Sequence, residues 1–207
     1  MSIDLPDSAL CRASEEHART LSPPFLFNHA MRSFVFANAA GESMGWRYDR
    51  ELLFAATVLH DLGLTGAVPA QERFEVEGAD AAEHFLAGHG LARDGLALVW
   101  DAIALHTTQT IPQRKAPEIA LCQLGTAIDV GYAPLHLLPE GLAAETLARF
   151  PRLDFKRAFV ALLASLHDRN PAAAAASAPV ADVGERHVHG FRRIHFCDVI
   201  AQAGFAE

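Results

Sequence analysis

Apolar residues recur along this chain at intervals of three and four positions, the spacing that places them on one face of an α-helix. The alternation of apolar and polar residues that marks a half-buried strand is nearly absent, and alanine and leucine dominate over valine and isoleucine. The pattern therefore predicts an all-α protein. Helices are expected over residues 28–40, 49–62, 79–87, 96–105, 118–130, 142–150, 155–166 and 192–203.

Polar side chains interrupt the apolar face of several of these helices. His60, His106 and Asp129 each follow small or apolar residues of their own helix at four and seven positions, so they are predicted to face the core. A carboxylate buried without a cation or a hydrogen-bonding partner costs several kcal/mol. Each residue alone fits an ordinary buried polar group. Taken in order, His29, the doublet His60-Asp61 and Asp129 predict one internal site for a divalent metal.

The composition of the chain limits the kinds of partner that it is expected to bind. The chain of 207 residues is 51% hydrophobic, which is enough for a sizeable core, and its net charge is −8 with no run of lysines and arginines. Nucleic acid is therefore not expected to bind. The first residues lack a signal-peptide pattern and no apolar stretch approaches the roughly 20 residues that span a bilayer, so we expect a cytoplasmic protein with no membrane partner.

The apolar pattern is clearest up to Gly131 and loosens after it. We expect a single domain over residues 1–207, with a core at about 25–132 and a helical C-terminal extension at 133–207. The alanine-rich stretch 171–179 is either a helix extension or a flexible linker. The apolar tail after Phe191 is a candidate for packing on a second subunit, so a homo-oligomer is one of the states that the sequence leaves open.

The residues around the doublet resemble the HD-domain superfamily over residues 25–132, roughly half of the chain. The likeness is closest to its cyanamide hydratase-like branch. It rests on the segments NHAMRS (28–33), HDLGL (60–64), RFEVEGA (73–79) and AIALHT (102–107). The resemblance implies an HD-domain-like orthogonal helical bundle with extra C-terminal helices.

The resemblance also implies a ligand set. The four metal ligands of the family correspond here to His29, His60, Asp61 and Asp129, and they would hold one divalent ion. Zinc is expected, with iron and manganese as alternatives. Phe74 stands where members with two metals have a histidine, so a second metal would lack a ligand.

The same resemblance suggests roles for the neighbouring residues. His106 is similar to a histidine of the two-metal centres and is left free to contact the substrate or to donate a proton. Asp61 would both bind metal and accept a proton from water. Asn28, Thr107 and Thr108 are candidates for hydrogen bonds to the substrate, although Asn28 is equally suited to capping its helix and the threonines to ending one.

The function that the resemblance implies is a hydratase or hydrolase in which a metal-bound hydroxide adds to a small nitrile-like molecule, as in the conversion of cyanamide to urea. An HD-type nucleotide phosphohydrolase is the first alternative. It is disfavoured because Leu64 and Thr65 follow the doublet where such enzymes often have a lysine or histidine. The second alternative is a non-catalytic, metal-binding regulatory module.

The sequence contains two other histidine motifs that could be mistaken for the metal site. A second doublet, His167-Asp168, also comes late in an apolar helix, and it is interpreted as solvated polar residues before the helix exit. The histidine-rich tail, with His187, His189 and His195, is interpreted as a surface or subunit contact.

Overall fold

The computed structural model describes residues 3–205 and contains, within them, eleven α-helices and three short 3-10 helices. The α-helices are α1 (Ala9–Leu21), α2 (Pro24–Ser43), α3 (Arg50–Leu59), α4 (Phe74–Gly88), α5 (Arg93–Ala104), α6 (Pro117–Val130), α7 (Leu142–Arg149), α8 (Phe155–Arg169), α9 (Pro171–Ala176), α10 (Ala178–His187) and α11 (Phe196–Ala201). No strand occurs among the described residues, so the prediction of an all-α protein is confirmed. None of the described helices combines the length and the apolar character needed to cross a bilayer.

Two helix starts agree with the sequence pattern. Asp49 caps α3, because its Oδ1 accepts the backbone N–H groups of Glu51 (2.9 Å) and Leu52 (3.1 Å). Pro117 occupies the first position of α6, where a missing N–H costs nothing. The end of α3 differs from the prediction, since the helix stops at Leu59 and a 3-10 turn, Leu62–Leu64, follows the doublet.

Other boundaries were predicted less well. The helix α1 was not predicted, α2 and α4 begin earlier than expected, and α11 is shorter than residues 192–203. The early start of α4 has a local cause, because Glu77 Oε1 accepts the backbone N–H groups of Gln71 (2.6 Å) and Glu72 (2.9 Å). The alanine-rich stretch is helical rather than a linker, and it breaks at Ser177 between α9 and α10.

Close backbone contacts fix the helices that carry the polar residues. A Cβ at Gly125 of α6 would lie 2.2 Å from the carbonyl oxygen of Ser33, so α2 and α6 touch where only glycine fits. A Cβ at Gly63 would lie 1.8 Å from the carbonyl oxygen of Phe74, so the turn after the doublet rests directly on the start of α4. The geometry of the site therefore depends on these two glycines.

The C-terminal helices cover one end of this core. A second apolar cluster joins them to α2, the 3-10 turn and α4; its buried members are Leu26, Leu64, Phe74, Leu163, Leu166, Ala174 and Val180. Arg169 at the end of α8 also donates to the carbonyl oxygens of Thr65 (3.1 Å) and Val68 (2.8 Å). The extension is thus packed onto the segment that carries the doublet.

Candidate metal centre

Three of the predicted ligands meet in the interior. His29 comes from α2, and His60 and Asp61 follow the end of α3; all three are at most 4% exposed. His60 Nε2 lies 3.2 Å from His29 Nε2 and 3.1 Å from Asp61 Oδ2, and His29 Nε2 lies 3.6 Å from the same oxygen. One donor atom from each residue lies within 4.8 Å of the others. This trio is the candidate metal centre.

The two imidazoles are held with their Nε2 atoms directed at the centre. His60 donates its Nδ1–H to the carbonyl oxygen of Thr57 (2.7 Å), which can only accept. His29 Nδ1 lies 2.6 Å from Asp129 Oδ2 and donates to that carboxylate. An imidazole that gives its other N–H to a carbonyl or a carboxylate is the usual form of a metal-binding histidine.

The donor atoms suit a cation. Asp61 Oδ2 is buried and accepts no hydrogen bond, and the two facing ring nitrogens would repel each other if both presented lone pairs. Burial alone would raise the pKa of Asp61, but His60, His29 and His106 outweigh it and lower that pKa to about 2. The cluster therefore contains an ionised carboxylate and two ring nitrogens that require a proton or a metal ion between them. Two imidazoles and a carboxylate fit zinc, iron or manganese.

Asp129 lies on the far side of His29 from the other donors. Arg32 donates two hydrogen bonds to the Asp129 carboxylate, from Nε to Oδ1 (2.7 Å) and from Nη2 to Oδ2 (2.8 Å). Arg152 Nη1 lies 3.2 Å from the same Oδ1. Burial opposes ionisation, but His29 and Arg32 together hold the pKa of Asp129 far below its usual range. In this arrangement Asp129 orients His29 and is not among the three convergent donors, so its role as a fourth ligand stays a prediction.

Arg32 is a site residue that the sequence interpretation did not single out. Its side chain is completely buried, and its Nη1 also donates to the carbonyl oxygen of Phe150 (3.0 Å). The signal was its position three residues after His29, which puts both side chains on one face of α2. A buried guanidinium beside a buried carboxylate is costly to form and more costly to break.

His106 borders the trio. Its Nε2 lies 3.7 Å from Asp61 Oδ1, and its Nδ1–H donates to the carbonyl oxygen of Ile103 (2.6 Å). Burial, and after it the neighbouring His60, lowers the pKa of His106 to about 4. The ring is therefore neutral near pH 7 and presents an accepting Nε2 to the centre. The predicted proton donor must first accept a proton.

The three predicted substrate contacts are placed differently. Asn28 donates its Nδ2 to the carbonyl oxygen of Pro151 (2.8 Å), and Thr107 donates its hydroxyl to Glu75 Oε1 (2.7 Å). Thr108 follows Thr107 in the turn after α5 and is partly buried. Asn28 and Thr107 thus use a hydrogen-bond donor within the protein. The Asn28 amide oxygen and the Thr108 hydroxyl are the groups that can still be tested as substrate contacts.

Glu75 is a second residue that the sequence interpretation missed. It is fully buried at the start of α4 and accepts hydrogen bonds from Thr107 and from Ser177 (2.8 Å), while Arg73 lies 3.2 Å away. Its carboxylate joins the turn beside His106 to the alanine-rich part of the extension. Only its place in the RFEVEGA segment marked it in the sequence.

Phenylalanine rings enclose the polar cluster. The ring centres of Phe155 and Phe159 on α8 lie 4.9 Å and 5.6 Å from that of His29, and Phe74 lies 5.6 Å from His106. Two of these rings come from the extension, where the sequence pattern carried no site signal. The surroundings of the centre are apolar on both sides.

The second doublet is not part of this centre. His167 lies within α8, is buried and donates Nε2–H to the carbonyl oxygen of Val180 (3.1 Å), whereas Asp168 is exposed. The interpretation of both residues as solvated is therefore wrong for His167, because α10 packs over it at Gly184. The tail histidines His187 and His189 are exposed.

No protein-family model matches the chain, and no curated protein matches it either. The family resemblance therefore rests on the four sequence segments alone.

Proposed function

We propose that this chain is an HD-type, metal-dependent hydratase in which residues 25–132 form the HD bundle. One observation carries the proposal: two imidazole nitrogens and an unbonded carboxylate oxygen converge in the interior, from His29, His60 and Asp61, with neutral His106 at their edge. Single polar residues are common in cores, but this convergence is what a metal with an open coordination position needs.

The proposed reaction is the addition of water to a small nitrile-like molecule, of the cyanamide-to-urea type. The water oxygen bonds to the carbon, and both water protons end on the former nitrile nitrogen. When bound, the ion would act as a Lewis acid and lower the pKa of a water that it holds. The trio His29, His60 and Asp61 would hold this ion.

The chain's own groups move the proton. His106 Nε2 accepts a proton from water while the carbon–oxygen bond forms, and the same nitrogen then delivers it to the substrate nitrogen. A second transfer by the same route moves the remaining hydroxyl proton to that nitrogen and leaves the carbonyl group. Asp61, which the resemblance gave as the proton acceptor, is a poor base because its pKa is lowered to about 2; it remains a carboxylate, and its Oδ1, 3.7 Å from that nitrogen, stabilises the charged ring between the two transfers. Asn28 and Thr108 would orient the substrate.

A small neutral substrate fits the surroundings better than a phosphate. The walls nearest the histidines are phenyl rings, and the guanidinium groups of Arg32 and Arg152 are directed at Asp129. An anionic group entering beside His106 would meet the Asp61 carboxylate and would find Arg32 and Arg152 already paired with Asp129, so the metal ion alone would balance its charge. These contacts favour the hydratase over the phosphohydrolase.

The deciding experiment is a substrate panel on metal-loaded protein. Urea release from cyanamide, or turnover of small nitriles or isocyanides, supports the hydratase, while phosphate release from nucleotides supports the phosphohydrolase. Bound metal with no turnover on the whole panel would favour the regulatory module.

A paired substitution tests the role of His106. We expect His106→Ala to keep its metal and lose turnover, because the residue carries a proton and is not a ligand. His167→Ala removes an equally buried histidine outside the centre and should retain both properties. A His106→Ala protein that lacks metal would make His106 a ligand and overturn the assignment.

A further inference from the structure

The candidate metal centre is closed to solvent. None of its four polar residues is more than 6% exposed; these are His29, His60, Asp61 and His106. A closed centre keeps bulk water away from the reacting atoms, but a substrate can reach them only where a part of the wall moves. Of the three phenylalanine rings that line it, Phe74 and Phe155 are buried and Phe159 is partly exposed. Phe159 is therefore the ring of the three that reaches the surface.

Phe155 is held in place from several sides. The guanidinium carbons of Arg152 and Arg32 lie 4.6 Å and 5.4 Å from its ring centre, close enough for attraction between the cations and the ring. Phe25 meets the same ring edge-on, with ring centres 6.3 Å apart. Both arginines also donate hydrogen bonds to Asp129. Phe155 is thus a fixed part of the wall, because its movement would disturb the groups that hold Asp129.

Phe159 is held less firmly. Its ring stacks on that of Phe155, with ring centres 4.8 Å apart, and it lies 5.6 Å from the ring centre of His29. Within residues 3–205 no further ring or guanidinium group packs against it in this way. Side chains that reach the surface change rotamer quickly, and the helix backbone need not move. A rotation of Phe159 would uncover one side of the His29 ring while α8 stays in place.

The route past Phe74 is narrower. A cavity of about 20 Å³ lies there, lined by Gly63, Phe74 and Ser177 among others, and a space of this size holds about one water molecule. The backbone of Phe74 is also pressed against Gly63, where an added Cβ would lie 1.8 Å from the Phe74 carbonyl oxygen. This cavity is too small for a molecule such as cyanamide, so the observations favour the side of Phe159.

We propose that Phe159 is the gate of the centre: its ring rotates aside to admit the substrate and closes over His29 afterwards, and its bulk limits the substrate to small molecules. The size limit rests on the proposed function, whereas the gate does not. Because the neighbouring wall is made of phenyl rings, a neutral molecule passes at little desolvation cost, and a charged one does not.

Accessibility of the histidines tests the gate without metal or turnover. Diethyl pyrocarbonate is a small neutral reagent that acylates unprotonated imidazole nitrogens, and peptide mass spectrometry gives its rate at each histidine. The metal-free full chain is compared with Phe159→Ala and with the control Phe85→Ala. Phe85 is also partly buried and also stacks on a histidine, His17 (4.0 Å), but it lies towards the far end of α4. The exposed His136 calibrates the reagent.

We expect acylation of His29 and His60 to be at least about tenfold faster in Phe159→Ala than in the wild type, and unchanged in Phe85→Ala. His167, which is buried on the same helix as Phe159, should keep its slow rate. An equal rise at His167 would mean that Phe159 only holds α8 in place. Unchanged rates at His29 and His60 would mean that the route lies elsewhere. Either result would overturn the proposal.

A milder variant guards against loss of the fold. Phe159→Leu keeps an apolar side chain on α8 and should give an intermediate acylation rate at His29 and His60. It takes the place of Phe159→Ala, with the same two outcomes overturning the proposal, if thermal unfolding shows that Phe159→Ala is not folded.

The size limit is tested with the zinc-loaded protein. In Phe159→Ala the kcat/KM for benzonitrile relative to that for cyanamide should rise at least about tenfold, because the smaller side chain leaves room for the larger nitrile. An unchanged ratio would contradict the size limit. No turnover of either nitrile, in the wild type and in the variants, would overturn the proposed function and the size limit with it, while the acylation rates decide the gate independently.

Discussion

His60-Asp61 and His167-Asp168 share a sequence, follow similar apolar segments and bury their histidines to 1% and 5% exposure. They differ in what the rings face. His60 donates its Nδ1–H to a carbonyl oxygen of its own helix, and its Nε2 faces His29. His167 instead donates its Nε2–H to the carbonyl oxygen of Val180. The aspartates differ as well, since Asp61 is buried and Asp168 is exposed.

The cause is the position of the helix end. Successive residues of an α-helix point about 100° apart, so a doublet within a helix that buries only one face can turn one side chain inward and the other outward. His167-Asp168 lies inside α8 and obeys this rule. The helix α3 ends at Leu59, and the chain turns there, so His60 and Asp61 both face the interior. In this chain, the doublet that follows the end of its helix is the one with both side chains buried.

The largest expected difference between the two regions concerns their arginines. Arg32→Met removes two of the hydrogen bonds to buried Asp129, leaves a gap in the charge balance around it and should lower the free energy of unfolding by about 3–5 kcal/mol. Arg169→Met, beside the second doublet, removes two hydrogen bonds to backbone carbonyls and should cost only about 1–2 kcal/mol. Urea unfolding of both variants measures this. Equal losses would mean that the Arg32–Asp129 pair is no more important than a surface contact.

The glycines beside the doublets give the next contrast. Gly63→Ala would press a methyl group onto the carbonyl oxygen of Phe74, and we expect a loss of about 3 kcal/mol or more. Gly184→Ala would meet the His167 ring, which can shift, and should cost about 1–2 kcal/mol. Thermal unfolding ranks the two variants. A milder effect at Gly63 than at Gly184 would contradict the backbone contact described for the first doublet.

A smaller effect, on metal affinity, is expected at Asp129, which lies on the side of His29 away from the other donors. Asp129→Asn weakens the hydrogen bond that orients His29, and metal affinity should fall by about 10–100-fold. Asp61→Asn removes a donor atom and should abolish measurable binding, while Asp168→Asn should leave affinity unchanged. Calorimetric titration of the folded variants with zinc gives the three values. If Asp129→Asn binds no better than Asp61→Asn, Asp129 is a direct ligand.

The effect that is smallest near neutral pH is a dependence of the free energy of unfolding on pH. Burial and His60 lower the pKa of His106 from 6.5 to about 4, so between these values the unfolded chain binds a proton that the folded chain does not. The stability of the metal-free protein should therefore be complete above pH 6.5 and decline as the pH falls toward 4. His106→Gln should flatten this decline, with His167→Gln as the control for losing a buried histidine. An unchanged slope in His106→Gln would contradict the buried, neutral ring.

Local features of the fold followed well from the sequence. The helical class, the cap at Asp49 and the proline start of α6 depend on neighbouring residues, so periodicity and capping rules find them. The start of α4 was predicted too late because the group that stabilises it, the Glu77 carboxylate, lies within the helix and accepts a backbone N–H from Gln71 before it. The helix α11 was predicted too long because Ile194 was assigned to the same helix as Val199 and Ile200, whereas the helix begins only at Phe196.

The site followed from the sequence only in part. His29, His60 and Asp61 were found because polar residues on apolar faces are conspicuous and the family pattern linked them. The bond between Arg32 and Asp129 spans 97 positions, and the rings of Phe155 and Phe159 come from outside the resembling segment. Such partners are brought together by helix packing, which no local pattern encodes.

The central claim is that His60-Asp61, and not His167-Asp168, forms the metal centre. Metal content per chain, measured by elemental analysis after zinc loading and desalting, tests it most directly in the wild type, His60→Ala and His167→Ala. We expect one ion per chain in the wild type and in His167→Ala, and none in His60→Ala. Undiminished zinc in folded His60→Ala, or its loss in folded His167→Ala, would contradict the account.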